Sequence, residues 1–234
     1  MSFGTSGWLF QSNKLMYDRG TNSLWHQFLG EPVVGELVGS GIKLQILPST
    51  LTTWSNWLSA HPDTTVLDVE TGVYPVEAYL PEGAPGSTYS TYRGSELTMF
   101  PVPERSNALP TKSRIYGLTF NGQARAYPQE ILNQTQVIND SLGGGNLLLV
   151  TPQDGGTRSY QRDDRIFLTV EKGESGSSEL ILIDDEGLGW RMTEDALVSI
   201  SDPTMRLLRL PGRSSFWFGW YAFYPATEVY ANGS

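Results

Sequence analysis

The chain has 234 residues, 39% hydrophobic and 18% charged, with a formal net charge of −9, the balance of a globular protein that buries a sizeable core. Its acidity argues against nucleic acid as a partner, because a phosphate-backbone binder needs a basic face. The absence of cysteine excludes disulfides, thiolate metal sites and thiol catalysis within the chain, and two histidines are too few for a histidine metal cage, so no metal or cofactor is expected.

Twenty-five glycines and fourteen prolines are spread along the chain, which favours many short elements joined by turns: a mainly β fold with a few short helices. Residues 3 to 38 read as a β meander. A strand over 14–18 is followed by Arg19-Gly20-Thr21-Asn22, a turn in which Gly and Asn tolerate positive φ, and by a return strand over 23–28. Asp18, Arg19, Ser23, Trp25 and Gln27 cluster at this hairpin as candidate ligand-binding residues beside an indole. The plainer reading, a turn whose Asp accepts backbone N–H bonds and whose Trp fills the core, is preferred. His26 alternates with Trp25 and is expected to be exposed.

Residues 52 to 61 place Trp54, Trp57, Leu58 and His61 on one helical face, with Thr50 or Thr52 as cap and Pro62 as stop. This helix is expected to plug the underside of its sheet. His61 is a candidate ligand or base near Asp63, against the simpler reading of a buried, hydrogen-bonded histidine. Residues 68–112 are rich in Pro and Gly but too aromatic for a free linker; they are expected to lie against both flanking lobes.

From residue 113 onward the strongest signal is Asn121-Gly122 between two alternating runs, a hairpin with a type I′ turn. A short helix with Pro128 in its first turn and strands over 136–139 and 146–150 follow. Arg125 with Asp140 could bind an anion; a buried pair closing the hairpin onto the next strand is preferred. No apolar run approaches the roughly 20 residues that span a bilayer, so no membrane insertion is expected, and the opening residues do not read as a signal peptide.

The chain also matches itself. Trp54-x-x-Trp57-x-x-x-His61-Pro62-x-Thr64 and Trp217-x-x-Trp220-x-x-x-Tyr224-Pro225-x-Thr227 share one pattern, 163 residues apart, and Leu44 and Leu47-Pro48 fall on Leu207 and Leu210-Pro211 at that offset. Trp25 and Trp190 are matching aromatics. The expectation is a tandem repeat: 1–67 a first copy truncated at its N-terminus, 68–112 a connector, 113–234 the second copy. A truncated copy leaves a sheet edge unpaired, and a homodimer through that edge is expected.

Tyr17-Asp18-Arg19-Gly-Thr21-Asn-Ser23-Leu24-Trp25-His-Gln27, Leu47-Pro48, Trp54-x-x-Trp57, His61-Pro62-Asp63-Thr64, Ala124-Arg125-Ala126-Tyr127-Pro128, Asn139-Asp140 and Phe216-Trp217-Phe218-Gly219-Trp220, in this order, resemble the domain of unknown function 3179, over nearly the whole chain. The resemblance implies a mostly prokaryotic, often exported protein, hence an extracytoplasmic setting. Members of that family usually begin earlier, with a first Arg-Ala-Tyr-Pro segment and a Cys-Pro-x-Cys-like strand, which implies that the family's opening part is absent here. The expected function is a non-catalytic scaffold or ligand-binding domain with an aromatic-lined groove between lobes for a small or polymeric ligand. The alternative is the C-terminal portion of a thiol or selenol redox protein whose active-site strand lies upstream. A weaker third reading, a hydrolase, requires Asp18, His61 and Asp63 to converge in one cleft.

Overall fold

The structure is a computed structural model that describes residues 2–70, 72–81, 84–87, 89–153, 156–173 and 179–231. The fold is mainly β, as expected. Strands β1 (Phe3–Phe10), β2 (Asn13–Asp18), β3 (Leu24–His26) and β4 (Pro32–Val34) form an antiparallel sheet in sequence order. Gln11 and Ser12 turn β1 into β2 with φ of 49° and 62°, the left-handed pair that a tight hairpin needs. Met16 lies opposite Trp25, and Leu15 opposite His26, so the pleat sends the two pairs to opposite faces. The outer edge of β1 is interrupted by a register shift between Thr5 and Leu9, a device that disfavours edge-to-edge pairing.

Helix α1 (Trp54–Ala60) is capped by the Thr53 hydroxyl, which accepts the Asn56 N–H at 3.2 Å, and by neither Thr50 nor Thr52, the expected caps. It does not plug its sheet. None of its residues is buried, and Trp54 and Trp57 are 51% and 39% exposed. A 3₁₀ turn (Val76–Tyr79) and α2 (Ser90–Arg93) lie in the connector. Its described residues are mostly exposed. It is anchored near its end, where Val102 is buried, Leu109 packs beside Trp217 and Trp220, and the Ser106 carbonyl accepts the Trp217 indole N–H.

Strands β5 (Arg114–Phe120) and β6 (Gln123–Pro128) form the expected hairpin, with Asn121 and Gly122 at φ 47° and 79°. Helix α3 (Gln129–Gln134) follows, with Pro128 just outside its first turn. Next come β7 (Val137–Leu142), β8 (Gly145–Val150), β9 (Arg158–Gln161), β10 (Phe167–Lys172), β11 (Leu180–Asp184), β12 (Gly189–Met192), β13 (Ala196–Ser199) and β14 (Arg206–Leu210). These eight form one antiparallel sheet in the order β10-β11-β12-β13-β14-β9-β8-β7. The sheet is nearly closed on itself. The Asn139 side-chain amide on β7 donates to the Phe167 carbonyl at 2.7 Å and accepts the Phe167 N–H at 3.0 Å, so one side chain stands in for the missing strand ladder. Leu148, Val150, Tyr160, Phe167, Leu182, Trp190 and Leu197 fill the interior.

Strand β15 (Arg213–Phe216), β5, β6 and β16 (Glu228–Val229) make a third sheet. One face packs Tyr116, Leu118 and Tyr127 against Leu147 and Leu149 of β8. The other packs Ile115 and Ala126 against α4 (Trp217–Tyr221), whose Trp217 and Trp220 are buried. A Cβ on Gly117 would stand 2.4 Å from the Trp220 ring, so only glycine lets the indole lie on this sheet.

Like contacts recur in the two halves. The Trp57 indole N–H donates to the Thr64 hydroxyl at 2.9 Å, and Trp220 to Thr227 at 2.9 Å. Trp57 lies 4.0 Å from the His61 ring, Trp220 4.2 Å from Tyr224. Trp25 donates to the Asp18 carboxylate at 3.2 Å, Trp190 to Asp184 at 2.9 Å. Phe3 and Phe167 each meet their indole edge-on at 5.8 Å. The surroundings differ: α4 is buried under a sheet, α1 is not.

Candidate functional site

The face of the first sheet that carries Phe3, Met16 and Trp25 lines a cavity of about 310 Å³, at the small end of the roughly 300–1,000 Å³ of ligand sites. Its opposite wall is the extended segment 44–47. That segment is held by the Leu44 N–H, which donates to the Gly30 carbonyl at 2.8 Å, and by a 2.8 Å ion pair from Lys43 to Glu31. Gly30 adopts φ +68°, and a side chain there would meet the Leu44 carbonyl. Glycine is therefore what allows the segment to approach.

The Trp25 indole is fixed from behind. Asp18 is buried and accepts from the Gly20 and Thr21 N–H groups, the Thr21 hydroxyl and the Trp25 indole. The Thr21 hydroxyl, then its N–H, outweigh the burial that opposes them, and with the Trp25 and Gly20 donors they hold the Asp18 carboxyl down to about 2. Ser23 is buried, its hydroxyl accepting the Leu37 N–H at 3.1 Å. Asp18 thus positions the indole, Ser23 ties the hairpin to Leu37, and both are buried. Arg19 is exposed, its guanidinium 5.2 Å from the Tyr17 ring. Of the five hairpin candidates, Trp25 and Gln27 line the cavity.

His26 is 1% exposed, against the expectation of an exposed strand residue. Residues beyond α4 cover its face of the sheet: Phe223 lies 4.1 Å from its ring, with Phe28 and Phe10 around it. His61 is only partly buried, stacks on Trp57 and has Glu194 at 3.8 Å, so it is not the buried histidine expected. Asp18 finds its partners within its own hairpin while His61 meets Trp57 and Glu194. They share no neighbour, and the hydrolase constellation does not assemble.

Arg125 and Asp140 form the pair that the plainer reading described. The guanidinium donates to both Asp140 oxygens at 2.7 Å, to the Ser141 carbonyl, and to Glu228, while the Tyr127 hydroxyl donates to Asp140 at 2.7 Å. Every strong valence of the pair is spent on tying β6 to β7 and β16.

Sequence reasoning missed Phe3, Met16, Gly30, Leu44, Ile46 and Leu47. Leu44 and Leu47 carried a signal, since their counterparts at the 163-residue offset lie at and beside the ends of β14. Among the described residues, no group of three or more His, Asp or Glu side chains could hold a metal ion, and no helix is long and apolar enough to cross a membrane.

Compared with known proteins, residues 1–227 match the family model described as "Protein of unknown function (DUF3179)". The match starts at residue 1, which gives no support to the expectation that the opening part of the family domain is absent. No curated protein and no solved structure matches the chain.

Proposed function

We propose, for a chain that belongs to the DUF3179 family, that it is a binding module that takes a small apolar ligand between the first sheet and the segment 44–47. One observation carries this reading. In the eight-stranded sheet, Phe167, Leu182 and Trp190 are covered by Leu148, Val150 and Tyr160 of β8 and β9. Phe3, Met16 and Trp25 repeat the first three in pairing and ring geometry, yet face a cavity of about 310 Å³. The paired indole clamps support reading the first sheet as an abbreviated copy of the second, with a ligand in place of the missing side chains. A chamber of this size suits a small molecule better than a polymer. The redox alternative has no thiol in this chain to carry it.

The test is binding of the neutral fluorophore Nile red, with Ile46→Trp to fill the chamber. Saturable binding lost in the variant supports the pocket. Equal binding by both proteins, or none by the unmodified chain, refutes it.

A further inference from the structure

A second cavity of about 240 Å³ adjoins the first, and Gln27, Ile46 and Leu47 line both. Arg213 of β15 lines this second chamber. Its Nη1 donates to the Phe28 carbonyl at 3.1 Å and the Gln27 carbonyl at 3.3 Å, and its guanidinium lies 5.2 Å from the centre of the Phe28 ring. Carbonyls accept its protons but do not neutralise its charge. Among the described residues no carboxylate pairs with Arg213, whereas Arg125, Arg158, Arg165 and Arg209 each have one within 4.0 Å. Burial disfavours its charge, and the nearby phenols of Tyr224 and Tyr116 offset this only in part.

A guanidinium with no carboxylate partner, lining a cavity that adjoins an apolar one, is a receptor for an anion whose two oxygens match its fork. A dianionic phosphate would need more positive charge than one arginine supplies, and nearby Lys43 is already paired with Glu31. Resting on the pocket reading above, we infer that the ligand is an apolar carboxylate. Its hydrocarbon or aromatic body lies against Trp25 and Met16, and its carboxylate passes the wall of Gln27 and Ile46 to Arg213.

The experiment is displacement of Nile red by decanoate and by decanol, below the micellar range, on the unmodified protein and on Arg213→Gln. Decanoate is expected to bind at least about tenfold tighter than decanol, the gain of a charge-assisted hydrogen bond, and to weaken with added salt while decanol does not. In Arg213→Gln the ratio of decanoate to decanol affinity falls to about one. Equal affinity for acid and alcohol on the unmodified protein overturns the carboxylate assignment and leaves the apolar pocket standing. Failure of Nile red to bind at all overturns the pocket and the assignment with it.

Discussion

Acidification from pH 7 to pH 4 should destabilise this protein through one side chain, His26. Its ring is buried in a cage of Phe10, Phe28 and Phe223. The Leu29 N–H donates to Nδ1 at 3.0 Å, so the neutral ring carries its proton on Nε2. A second proton must go to Nδ1, where it breaks that bond and meets a donor. Burial, followed by the nearby Arg213 charge, lowers its pKa from 6.5 to about 4, against a smaller opposing effect of Glu31. A histidine depressed in this way stabilises the fold fully above its unfolded pKa of about 6.5 and loses that contribution as pH falls toward about 4, because in this window the unfolded chain binds more protons. At about 1.4 kcal/mol for each tenfold bias between the two forms, the ceiling is about 3 kcal/mol, or roughly 6–12 °C in Tm for a chain of this size. The assay is urea unfolding at a series of pH values, on the unmodified chain and on His26→Asn, whose side-chain oxygen can still accept the Leu29 N–H. Between pH 6.5 and about 5, above the range in which Asp18 contributes its own dependence, the variant should lack most of that slope. The same slope in both proteins would refute the account of His26 as a buried neutral ring.

Two further outcomes test the architecture. Asn139→Ala removes both partners of the Phe167 backbone and should cost about 1–3 kcal/mol, with faster hydrogen exchange at Phe167 and along β10; unchanged exchange would show that the barrel closes without the clasp. Trp220→Ala, which empties a buried site, should cost about 3–5 kcal/mol in denaturant unfolding. Trp57→Ala, at the matching but exposed position, should cost under about 1 kcal/mol; equal losses would mean that both helices are buried alike.

Much of the fold was legible because its signals are local. Asn121-Gly122 needs no distant partner to impose a left-handed turn, and the strand alternation around Met16 and Trp25 is a property of the backbone itself. The Arg125–Asp140 pair was readable for a similar reason, since the strands that carry it are near neighbours along the chain. The site was harder. Trp25 and Gln27 stood out by residue type, but their cavity exists because segment 44–47 crosses the sheet, and nothing in its residues specifies where an extended segment will lie. His26 was misjudged because alternation tells which face a residue takes and not whether that face is covered; Phe223, about two hundred residues away, covers it.

The amino-acid sequence by itself determined the β-rich class, the turns, the two Trp-x-x-Trp helices and the lack of any thiol. These follow from short-range sterics, capping and composition. Only the tertiary structure decided which indole pair is buried, that Asn139 joins the ends of the barrel, and that Arg213 lines the second cavity with no carboxylate paired to it among the described residues. Each of these depends on what packs against a residue from far along the chain, and burial, unlike periodicity, is set by the whole fold.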